Sequence, residues 1–187
     1  MRGLAALLAG GALACSHPPA KTAAAPEPPH RGLYAVLATG KGDITVRLFQ
    51  DDAPKTVQNF AALAKAGAYD GTTFGRVVPG FMIQAGPGAA GEPLAFETAP
   101  GRTFAKEGRL AMAVLKDGSD PRQSFITLAP APWLDGKQAV FGEVAEGLPA
   151  AEAIAAAPRR ERGPEGGLLD RPLAPVVLRA VRVEDRP

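Results

Sequence analysis

Glycine and proline punctuate this chain so often that they set its possible architecture. The 22 Gly and 19 Pro among 187 residues point to many turns, and so to a β-rich body rather than a helical bundle. Tyr34 to Ala38 and Asp43 to Leu48 flank Thr39-Gly40-Lys41-Gly42, which predicts a hairpin. In its second arm Ile44, Val46 and Leu48 alternate with Thr45 and Arg47, as on a half-buried strand. The segment DDAPKTVQNFAALAKAG predicts a helix. Asp51 or Asp52 can cap it, Pro54 suits its first turn, and Val57, Phe60 and Leu63 or Ala64 recur at helical spacing before Gly67. A second short helix is expected over Leu148 to Ala156, before Pro158. Leu110 to Val114, Phe125 to Leu128 and Ala139 to Val144 read as strands. Pro175 to Val183, with Arg179 and Arg182 interspersed, closes the domain. Many short strands with two helices suggest a closed barrel with helical caps; strand spacing alone leaves a sandwich open.

Hydrophobic residues make up 46% and charged residues 21%, a globular balance. Residues 33–187 read as one domain. The net charge of +2 gives no concentrated basic face, so nucleic acid is not an expected partner. His17 and His30 are the two histidines and Cys15 is the sole cysteine; all precede the first strand. The body therefore contains no Ser-His-Asp or Cys-His arrangement, no His- or Cys-ligated metal and no intramolecular disulfide. No cofactor or metal is expected, and nothing demands more than a monomer.

The chain opens MRGLAALLAGGALACS. Arg2 is a short basic region, Gly3 to Ala14 is apolar, and Ala12-Leu13-Ala14 fits a small-x-small cleavage site. A bilayer span takes about 20 residues, so residues 1–14 read as an export signal. The Cys directly after the site resembles a bacterial lipoprotein signal, although Leu13 stands one place later than usual. Lipidation at Cys15 and plain cleavage, leaving a soluble periplasmic or secreted protein, are both open; the placement of the sole Cys favours the first. Residues 15–32, rich in Pro and Ala, read as an extended tether to a membrane that the protein meets only through its lipid.

The run FGRVVPGFMIQ, Phe74 to Gln84, holds one cation, one amide and no acid, histidine or cysteine. With the following Ala85-Gly86 it closely resembles the signature of the cyclophilins, the peptidyl-prolyl cis–trans isomerases. Other segments agree in order: Asp52 to Phe60, Tyr69 to Thr73, Gly108 to Ala113, Gln123 to Thr127, Trp133 to Lys137, and Val140-Phe141-Gly142. The resemblance covers nearly all of residues 33 to 185. It implies an eight-stranded antiparallel β-barrel capped by two helices, with the active groove on the barrel's outer surface. It implies Arg76 as the catalytic residue and an apolar proline pocket of Phe81, Met82, Phe125 and Leu134. Gln84 and Gln123 would contact substrate backbone, Ala113 would line the groove, and Trp133 and Gln138 would stand at its rim and edge. The implied partners are proline-containing unfolded or extended polypeptides, and a cyclosporin-type inhibitor.

These residue types suit amide rotation. Resonance of the prolyl nitrogen lone pair into the carbonyl raises a barrier of about 18–20 kcal/mol, and no bond has to break. An arginine is permanently charged and always a donor, so it can favour the twisted amide with its localised lone pair. Met adapts to the shape of a ring held beside it. Departures from the family pattern fall around the groove. Gly75 stands where a His is usual beside the arginine, Val114 replaces an Asn, and Gln138 replaces a His. Pro121-Arg122 brings Arg122 beside the groove, and Pro87 to Glu107 matches little. The expected role is folding of exported proteins with altered inhibitor binding. The alternative is a chaperone or scaffold module that holds proline segments with little turnover.

Overall fold

A computed structural model describes residues 32–87, 92–115, 118–159 and 170–186. Eight strands, all paired antiparallel, close into a barrel in the order β1-β2-β7-β5-β6-β4-β3-β8. They are β1 (Gly32–Thr39), β2 (Gly42–Leu48), β3 (Thr72–Val78), β4 (Met82–Ala85), β5 (Arg109–Leu115), β6 (Gly118–Thr127), β7 (Val140–Glu146) and β8 (Val177–Arg186). Helices α1 (Pro54–Lys65) and α2 (Leu148–Ala155) complete the fold. The expected barrel is therefore present, and the sandwich is not. Residues 1–31, which include the stretch expected to be an export signal and most of the expected tether, lie outside the described residues.

Strand alternation divides the apolar residues into two sets. Ile83, Ile126, Leu110, Met112 and Phe141 belong to the large inner cluster, which Val57 and Phe60 of α1 and Ala151 and Ile154 of α2 join. Their sequence neighbours Met82, Phe125, Ala111 and Val140 belong to a separate cluster. Successive side chains on a strand point to opposite faces, so the second set lies on the outer wall. Such a wall must be covered, because full burial of a Phe or Met side chain is worth about 1.5–3 kcal/mol.

The cover comes from loops. Phe104, fully buried, lies on the outer cluster. Its N–H donates to Asp135 Oδ1 at 2.7 Å and its carbonyl accepts from Ala131 N at 2.8 Å, joining two loops over the wall. The same incoming loop reaches α1. Ala53 occupies the N-cap position with no side-chain cap, so neither Asp51 nor Asp52 supplies one as expected. Glu97 does so from a distance: it accepts from Thr56 N and Thr56 Oγ1, each at 2.7 Å, and from Lys55 N at 3.1 Å. Burial raises the Glu97 pKa, but these bonds and the Lys55 charge outweigh it, so the carboxyl is held below its ordinary value.

β6 begins at Gly118, well before the expected Phe125. Pro121 hides the strand in the sequence. It sits where the β5–β6 register shifts, between the pairs Val114–Ser119 and Met112–Ser124, so no ladder partner needs its missing N–H. Its carbonyl instead accepts from Asn59 Nδ2 on α1 at 2.5 Å. β3 and β8 pair only at Thr72–Leu178 and Thr73–Val177. Beyond that seam irregular backbone takes over: Phe74 N donates to Val176 O at 3.0 Å, and Val77 N to Asp170 O at 2.6 Å.

Candidate functional site

The run at Phe74–Gln84 is a hairpin. β3 and β4 are joined through Pro79, Gly80 and Phe81, with Gly80 at φ 68°, a conformation glycine adopts without strain. Register then aligns one row across the outer wall. Arg76 lies opposite Gln84, Gln84 opposite Phe125, Phe125 opposite Ala111, and Ala111 opposite Val140. A cation and an amide occupy one end of the row and apolar side chains the other. Gln123, two residues from Phe125 on the same face, joins the polar end: Gln84 Nε2 donates to Gln123 Oε1 at 2.8 Å.

At the apolar end Met82 and Phe125 form a buried floor, with Phe104 stacked on Phe125 at 6.2 Å between centroids. Phe81 and Leu134 are partly buried against that floor. Trp133, 58% exposed, stands over the edge at 5.8 Å from the Phe81 ring, on a turn of 3-10 helix (Pro132–Leu134). The structure thus brings together Phe81, Met82, Phe125, Leu134 and Trp133. Ala113 is half-buried on β5 beside the bulge between Met112 and Val114. Gln138 is half-buried, and its Oε1 is enclosed without a hydrogen-bond partner among the described residues.

At the polar end a cavity of about 460 Å³ opens beside Arg76, with Gly75, Thr73, Gln84, Gln123 and Arg171 among its lining. Half of the Arg76 side chain is exposed, and its Nε donates to Asp170 Oδ2 at 3.1 Å. A Cβ built on Gly75 would meet nothing within 4 Å, so no crowding dictates glycine there. Gly86, just past β4, is different. A Cβ there would stand 2.2 Å from the Arg122 carbonyl oxygen, so glycine allows β4 to close on β6 where Gln84 and Gln123 meet.

Arg122 lies beside the groove, its carbonyl oxygen against Gly86. Its Nε is buried, and its charge acts on Tyr69, also buried, whose phenol burial pushes strongly up, the Arg122 charge lowering it and the Asp120 charge raising it. Gln123 faces the cavity instead, as strand alternation requires. Two residues that sequence reasoning did not find are Phe104 and Asp170. Phe104 lies in the segment that matches the family pattern little, and Asp170 lies 94 positions from its partner, so nothing local marked either one.

What the row can do chemically is narrow. It offers permanent donors beside an apolar shelf, with no nucleophile and no proton acceptor at its centre. The guanidinium of Arg76 and the apolar shelf lie on the same outer row, joined through Gln84.

The family described as cyclophilin type peptidyl-prolyl cis-trans isomerase/CLD matches residues 34–183. Peptidyl-prolyl cis-trans isomerase B of Streptomyces anulatus is 41% identical over 177 residues, covering 82% of this chain and 98% of that protein. Peptidyl-prolyl cis-trans isomerase-like 1 of Rhizopus delemar is 43% identical over 122 residues, covering 60% of this chain and 74% of that protein. A crystal structure of a Cryptosporidium parvum cyclophilin type isomerase, obtained in the presence of the dipeptide Ala-Pro, superposes with a TM-score of 0.73. It shares 26% sequence identity, and the match covers 82% of this chain and 99% of that one.

Proposed function

This chain belongs to the cyclophilin-type peptidyl-prolyl cis–trans isomerases, and from that premise we propose that it turns X-Pro bonds at the row running from Arg76 to Phe125. The carrying observation is the register itself, which sets Arg76 and Gln84 beside Phe125 on one outer face. The substrate proline rests on Phe81, Met82, Phe125 and Leu134, with Trp133 over its edge. Gln84 and Gln123, already bonded to each other, hold the peptide backbone. Ala113 and Gln138 bound the groove at the residue before proline. Arg76 donates toward the prolyl nitrogen as the amide twists, a stage at which the lone pair is no longer shared with the carbonyl. That interaction is stronger in the transition state than in either planar isomer, which is what lowers the barrier.

The test is cis–trans exchange of an X-Pro peptide followed by NMR. Loss of one preorganised donor costs about 10²- to 10³-fold in turnover, so Arg76→Ala should slow exchange by that order. Equal exchange in the two proteins would remove Arg76 from the chemistry. Binding without exchange in the wild type would favour a module that only holds proline segments.

The site of action in this proposal is outside the cytoplasm, on exported chains. Residues 1–14 have the layout of an export signal, and Cys15 is placed for a lipid. Labelling of cells with a lipid precursor should mark the wild type and not Cys15→Ser; no label on either would leave plain cleavage. A cyclosporin-type inhibitor should bind more weakly than the Trp133 contact alone suggests, because Val114 and Gln138 depart from the usual groove. Trp133 is the single tryptophan, so its fluorescence reports the titration directly.

A further inference from the structure

We infer that Asp170 is a positioning residue for Arg76. The inference rests on the assignment of Arg76 above. An arginine side chain has four rotatable torsions, and one half exposed has little packing to choose among them. The groups beside Arg76 do little to hold it. Gly75 has no side chain, and the space where one would stand is open. Gln84, directly opposite in register, gives its amide to Gln123. The opposing charge comes from Asp170, whose Oδ2 lies 3.1 Å from Arg76 Nε.

Two features make this pair more than a chance surface contact. Asp170 is held at its backbone as well, since its carbonyl accepts from Val77 N at 2.6 Å, one residue along β3 from Arg76. Its backbone is therefore tied to the strand that carries the arginine, which keeps its carboxylate within reach of Nε. The contact is also to Nε, and the structure shows no ion pair from the terminal nitrogens of Arg76 among the described residues. The guanidinium is planar, so fixing the Nε–H direction fixes the plane in which the remaining N–H groups point. Asp170 thus holds the rear of the group while its front stays available to an amide in the groove.

Both partners are well exposed, at 51% and 40%, so the effect is modest. Exposed pairs correspond to about a two- to fivefold change. Asp170→Asn should slow peptide exchange by that factor, with peptide affinity, read from Trp133 fluorescence, unchanged. Asp170→Glu should recover most of the rate. The Arg76 Nε–Hε cross-peak in a ¹H–¹⁵N spectrum should shift in Asp170→Asn and return toward its wild-type position in Asp170→Glu. Lysine has no Nε–H to hold, so adding Asp170→Asn to Arg76→Lys should cause no further loss.

An Asp170→Asn rate equal to or above that of the wild type would overturn the inference. So would an equal loss in the Arg76→Lys background, because Asp170 would then act elsewhere. If Arg76 variants lose activity and Asp170→Asn does not, this inference alone fails. If Arg76→Ala matches the wild type, the assignment of Arg76 fails with it.

Discussion

Glu97 caps α1 from a loop more than forty residues away in sequence, and its removal gives a quantitative test of how the groove's cover is held. In Glu97→Ala the backbone N–H groups of Lys55 and Thr56 and the Thr56 hydroxyl lose their acceptor. Helix N-cap deletions typically cost about 0.5–2 kcal/mol. Because Glu97 is partly solvated, a value of about 1 kcal/mol follows, equivalent to about 2–4 °C in Tm for a domain of this size. The charge adds a pH signature. The folded-state carboxyl titrates below its ordinary value, so its stabilising contribution is present above the unfolded value of about 4.3 and is lost as pH falls through the folded one. Urea unfolding at pH 7 should separate wild type from Glu97→Ala, and the gap should narrow at pH 3. An unchanged midpoint at pH 7, or a gap of the same size at pH 3, would refute this reasoning.

Three further substitutions probe separate parts of the site. Trp133→Ala should change stability by no more than about 0.5 kcal/mol, since the ring is 58% exposed, and weaken peptide binding by about 1–2 kcal/mol in calorimetry. Phe104→Ala removes a fully buried ring from the floor and should cost about 3–5 kcal/mol in urea unfolding. Gly86→Ala drives a Cβ to within 2.2 Å of the Arg122 carbonyl oxygen, so backbone must shift; a loss of about 1–3 kcal/mol and slower isomerisation are expected together.

The sequence carried most of the fold because the relevant signals are local. The Thr39-Gly40-Lys41-Gly42 hairpin and helix α1 stand where turn chemistry and 3.6-residue spacing put them. The signature run gave the site's inventory, but not its form: Pro79 and Gly80 fold it into a hairpin, which is how Arg76 comes to face Gln84. The N-terminal half of β6 was illegible because Pro121 argues against a strand unless the bulge is known. The burial of Arg122 Nε near Tyr69 while Gln123 lines the cavity is not legible from their adjacency, because adjacent strand residues point apart. Glu97 and Asp170 were out of reach altogether. Each serves a partner that only closure of the barrel brings near.

That closure has a consequence for an isomerase of the cyclophilin family, whose ligands are proline-containing peptides. An open row of backbone donors on a sheet edge would invite an extended client to add itself as another strand, and hold it long after its proline had turned. The seam between β3 and β8 is where such a row would appear, since the two strands pair at only two positions. The carbonyls of Val176 and Asp170 occupy the Phe74 and Val77 N–H groups there. Under the proposed function, a client would then be met by side chains rather than captured by the barrel wall.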